Sequence, residues 1–102
     1  MNKALLKKRA GELQANLASH AQSDQEAGNL LAALTDLIAA ALAESLDVPV
    51  EWASVPGVVY FTEGSLAKYV DLETAYANFK IEISGGEPPV LRQLRLKMAA
   101  QP

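Results

Sequence analysis

A chain of 102 residues, half of them hydrophobic, suits one domain whose modest core buries roughly two-thirds of the surface exposed on unfolding. The absence of cysteine excludes disulfides, thiolate metal sites and cysteine nucleophiles, and fits a reducing compartment. The net charge of −3 is unevenly laid out: Lys3, Lys7, Lys8 and Arg9 crowd one end and Arg92, Arg95 and Lys97 the other. Between them lie all 12 acids against Lys68 and Lys80 alone.

An acidic body with basic ends admits two readings: the ends fold back onto the body, or they contact nucleic acid. The first is the plainer and is preferred. The opening MNKALLKKRAGEL has the charged start of a signal peptide without the apolar stretch that should follow. Glu12 and the scarcity of serine also argue against a transit peptide, so a cytoplasmic protein is expected.

Residues 3–22 read as a helix, because Leu6, Ala10, Leu13, Leu17 and Ala21 recur at steps of three and four. Gly11 weakens it by about 1 kcal/mol relative to alanine. Four cations in its first turns oppose the helix dipole, so these turns either fray or are held by something negative. SDQE (23–26) spells a capping box: the Ser23 hydroxyl accepts from the Glu26 N–H while the Glu26 side chain reaches back. It predicts a second helix over 24–46, antiparallel to the first and ended by Pro49.

Within that helix, LLAALTDLIAAALAESL (30–46) raises the question of a membrane span. Its 17 residues are at the short limit, and Asp36 sits near the middle. An aspartate at the centre of a span costs about 2.5–3.5 kcal/mol, so a soluble helix is expected. Leu30, Leu31, Leu34, Leu37, Ile38, Ala41, Leu42 and Ser45 form one broad stripe, read as core. The remaining face carries Ala32, Ala33, Ala39, Ala40 and Ala43 around Asp36. It is either a quiet solvent face or a smooth strip that a partner helix can approach, and these six residues are the candidate interface.

After Val50 the composition changes. VVYFTE (58–63) is rich in β-branched and aromatic residues, GS (64–65) suits a two-residue hairpin loop, and LAKYVDL (66–72) returns. FKIEIS (79–84) alternates apolar and polar, which predicts a third strand. With Gly64–Ser65 as the loop, Tyr60 faces Tyr69 across the hairpin. The tail after GGEPP reads as a short helix over 89–100, with a fourth strand as the alternative. The expected fold is thus α+β in a single domain: an antiparallel helix pair packed on a three-stranded antiparallel β-meander (58–84), followed by a short C-terminal helix.

Catalytic chemistry finds little support. SLAK (65–68) has the serine-to-lysine spacing of certain acyl enzymes, but companion motifs are absent and a hairpin does not hold that geometry. His20 is the sole histidine and suits the negative end of the first helix. Asp71, Glu73 and Glu82 could share a strand face, yet no calcium-loop glycine accompanies them, so a solvated acidic face is preferred. Aromatics at 52, 60, 61, 69, 76 and 79 suggest a base-stacking sheet, but acids outnumber cations around them and packing explains them better.

The sequence therefore leads to a small non-catalytic interaction module, an adaptor or inhibitor acting through its acidic body and the alanine face. No cofactor or metal site is expected. The partner is another protein or a second copy of this chain. The alternative is nucleic-acid binding through Lys3, Lys7, Lys8, Arg9, Arg92, Arg95 and Lys97, where phosphate contacts make affinity steeply salt-dependent. A carboxylate enzyme is the remote third reading.

Overall fold

A computed structural model describes residues 2–86. Steps of three and four put Leu6, Ala10, Leu13 and Leu17 on the inner face of α1 (Lys3–Ala21), each 0–1 % exposed. Asn2 caps it, its side chain accepting from the Leu5 N–H at 2.9 Å. No acid lies in its first turn; the negative group that steadies this end comes from elsewhere, where Lys3 Nζ donates to Asp47 at 2.9 Å.

The next helix, α2 (Gln25–Leu42), follows after a short turn, as expected, but its cap is displaced. Asp24, not Ser23, is the extended residue, and its carboxylate accepts from the Glu26 N–H at 2.9 Å. That shift places Glu26 one residue too early to reach back, so the capping box does not form. The Glu26 carboxylate instead accepts from the Ser65 hydroxyl and from the Ser65 N–H at 3.3 Å. The leucine stripe does face inward: Leu30, Leu34, Ile38 and Ala41 are buried, with Leu31, Leu37 and Leu42 packed at its margins, but Ser45, expected in the same stripe, lies past the helix end and is exposed.

This helix stops at Leu42 rather than 46. Glu44 takes φ 55°, and the N–H groups of Glu44 and Ser45 return to the carbonyls of Ala41 and Ala40, both at 3.1 Å. This is a Schellman ending, built here without the usual glycine.

The β-meander expected over 58–84 is absent: every regular element among the described residues is helical. VVYFT forms the short α3 (Val58–Thr62), and a 3₁₀ turn occupies Leu66–Lys68. FKIEIS belongs to α4 (Val70–Ile83). There the longer period decides: Leu72, Ala75, Tyr76, Phe79 and Ile83 make one buried stripe at helical spacing. Asp71 and Glu73 lie in its first turn, Lys80 in its last, and Gly85 and Gly86 close it with positive φ. The apparent alternation covers too few residues to compete, and it fails on Lys80, which is buried rather than outward.

The expected hairpin loop fails with it. Gly64 N–H bonds to Val59 O at 2.9 Å, and the glycine of this segment that takes a left-handed backbone is Gly57, at φ 112°. Tyr69 faces no Tyr60 across a strand pair; it stacks on His20, centroids 4.1 Å apart. The expected tail helix over 89–100 lies outside the described residues.

Among the helices, α1 takes the middle place and packs against both α2 and α4. The segment between α2 and α3, with a 3₁₀ turn at Trp52–Ser54, is stitched to α4 by two bonds. Val50 N–H donates to Ile83 O and Tyr76 O–H to Pro56 O, each at 2.8 Å. Phe79, Leu66 and Leu72 complete a core in which each fully buried large side chain contributes about 1.5–3 kcal/mol. No helix among the described residues is long and apolar enough to cross a membrane.

Candidate functional site

With its leucines turned inward, α2 presents the alanines outward. Ala32, Ala33, Asp36, Ala39 and Ala43 are exposed and Ala40 is half-buried, so the six candidate residues do share one outer face. Thr35, beside them, turns its hydroxyl back to Leu31 O at 2.8 Å. Asp36 has no hydrogen bond or ion pair among the described residues. Other aspartates are tied down: Asp24 by the Tyr69 hydroxyl, Asp47 by Lys3 and Asp71 by His20. These bonds hold all three carboxyls below their ordinary value of 3.8.

The candidate nucleic-acid contacts are divided. Lys3 is paired with Asp47 and Arg9 with Glu12 at 3.0 Å, whereas Lys7 and Lys8 are exposed. Arg92, Arg95 and Lys97 lie outside the described residues.

Near the α1–α2 turn a polar cluster joins three segments. His20 Nε2 lies 3.1 Å from Asp71 Oδ2 while its ring stacks on Tyr69. Tyr69 O–H donates to Asp24 Oδ2 at 2.8 Å, and Lys68 Nζ stands 3.7 Å from the same oxygen. Ser65 and Lys68 lie on a 3₁₀ turn rather than the expected hairpin. Their side chains go to different partners, Glu26 and Asp24, and among the described residues they are joined only through the backbone, Lys68 N–H to Ser65 O at 3.4 Å. The cluster is a tie between the helix pair and the chain entering α4.

The three carboxylates do not converge either. On a helix Asp71 and Glu73 point about 160° apart, and Glu82 is about 16 Å further along the axis than Asp71. Among the described residues no group of three or more His, Cys, Asp or Glu could hold a metal ion.

One site escapes the sequence reading. Trp52, Val58, Phe61, Thr62, Glu73, Tyr76, Ala77 and Lys80 line an open groove of about 320 Å³ between α3, α4 and the 3₁₀ turn before them. Phe61 stacks on Tyr76 at 4.8 Å, and Lys80 Nζ sits 4.4 Å from the centroid of the Trp52 ring. Burial pushes the Tyr76 hydroxyl up to about 12 and the Lys80 amine down. A strand register sends Lys80 to solvent; the helical register of 72, 76, 79 and 83 puts it beside the buried stripe, and that was the signal available. Neither a protein family, nor a curated protein, nor a solved structure matches the chain.

Proposed function

We propose that the protein is a small non-catalytic interaction module that docks a helix of another protein on the outer face of α2. The observation that carries this reading is the exposed row of Ala32, Ala33, Ala39 and Ala43 around Asp36, which has no partner among the described residues. Alanines let a second backbone approach to the short end of the usual 8–10 Å between helix axes. The lone carboxylate then selects what approaches.

A second copy of α2 is a poor occupant, because a two-fold pairing centred on this face brings both Asp36 carboxylates together near the axis. A different protein offering lysine or arginine opposite Asp36 is the better complement. Nucleic-acid binding through α1 is the weaker reading, since Lys3 and Arg9 are already paired with acids of the body.

Purification from the native host at low and at moderate salt tests the proposal. A stoichiometric protein partner is expected, lost on Ala39→Glu while helix content by circular dichroism is unchanged. No such partner, or one that Ala39→Glu retains, would contradict it.

A further inference from the structure

A lysine is almost never buried unless something pairs with it. Lys80 is 6 % exposed, and among the described residues its ammonium has neither a carboxylate partner nor a hydrogen-bond acceptor. Among the described residues the ammonium meets the face of Trp52, and its nitrogen is not sealed from solvent, so its donors are open to a ligand entering the groove. Sealing such a group in the core would be costly, but Lys80 lines the groove instead, so a ligand can reach it.

The other walls define what that ligand is. Trp52, Val58, Phe61 and Ala77 supply an apolar and largely aromatic lining, and about 320 Å³ lies at the lower end of the range for small-molecule sites. Two polar groups on the lining are already occupied: Tyr76 O–H by Pro56 O, and Thr62 O–H by Val58 O at 3.3 Å. Glu73, two helical turns or about 10 Å from Lys80 along α4, makes the far end acidic.

We infer that this groove binds a small monocarboxylate with an aromatic or branched apolar body, its carboxylate on Lys80 and its apolar part between Trp52, Val58 and Phe61. Glu73 discriminates against a second negative charge at the far end of the ligand. Burial lowers the basicity of the Lys80 amine, and a carboxylate seated on it favours the charged form again. Because α2 contributes no residue to this lining, the inference stands or falls independently of the docking face.

Trp52 is the only tryptophan and therefore reports on the site by itself. Its emission is followed while the full chain is titrated with 4-phenylbutyrate, with the neutral 4-phenylbutyramide, and with phenylsuccinate as a dianion. A saturable change with the monocarboxylate is expected, with a Kd at least about tenfold lower than for the amide or the dianion. Lys80→Met, which keeps an apolar stem, should erase the preference for acid over amide. No saturable change up to about 10 mM, equal affinity for acid and amide, or a Lys80→Met variant that still prefers the acid would overturn the inference. The acid–amide comparison uses the unaltered protein and holds even if that variant does not fold.

Discussion

Two glycines separate what alanine does to this chain. Gly11 lies inside α1 and a Cβ there meets nothing within 4 Å. Gly11→Ala should therefore stabilise the protein by about 1 kcal/mol through backbone entropy. Gly57 holds φ 112°, and a Cβ there runs into Leu30 Cδ1 and comes within 3.2 Å of the Tyr76 ring. Gly57→Ala should destabilise by about 2–3 kcal/mol, combining backbone strain with overpacking. Urea unfolding of both variants checks the opposite signs. Gly11 was legible as an interior helix glycine, but Gly57 was not: PG marks a turn without revealing that the Leu30 and Tyr76 side chains close over it.

Titration acts at the same scale. Asp24, Asp47 and Asp71 hold carboxyls below 3.8 because Tyr69, Lys3 and His20, respectively, hydrogen-bond to them. The unfolded chain thus binds more protons in this range. Their stabilisation is present above the ordinary carboxyl value and is lost as pH falls through the depressed ones. The urea midpoint should fall as the pH is lowered from about 5 through the ordinary carboxyl range and below it, less steeply in Asp24→Asn, with modest amplitude because exposed pairs are screened. At the other extreme the raised Tyr76 value reverses the sign: its contribution is intact below 10.0 and drains as pH climbs towards about 12. Tyr76→Phe should flatten that alkaline loss, and a midpoint–pH profile unchanged by the substitution would refute the assignment.

At the scale of elements, α1 and α2 were legible because each repeats its apolar spacing over several turns. Their ends were less so, since a one-residue shift of the cap from Ser23 to Asp24 redirects Glu26 from its own helix to Ser65. The other helices were misread for a physical reason. Val58, Val59, Tyr60 and Phe61 have strand propensity, but tertiary packing of Phe61 on Tyr76 overrides it. In α4, a six-residue window imitates alternation while 14 residues show a helix. The end of α2 offers a test: Glu44 adopts φ 55°, which glycine takes freely. Glu44→Gly should raise stability by about 0.5–1 kcal/mol, read as an upward shift of the urea midpoint.

For the whole molecule, the charge layout pointed to basic ends folded back on an acidic body, and the pairing of Lys3 with Asp47 shows one such return. The outer face of α2 could be read from periodicity because facing in and facing out are both consequences of one helical register. The Lys80 groove could not, because its walls come from three separate segments that only the folded chain assembles. What the α2 face touches in the cell is best asked there directly. A photo-crosslinking side chain replaces Ala39 on α2, and in a separate variant Ala15, which is exposed on α1. One discrete adduct with a second, different protein chain is expected from position 39 and none from position 15. Absence of an adduct at 39, or equal labelling from both positions, would contradict it.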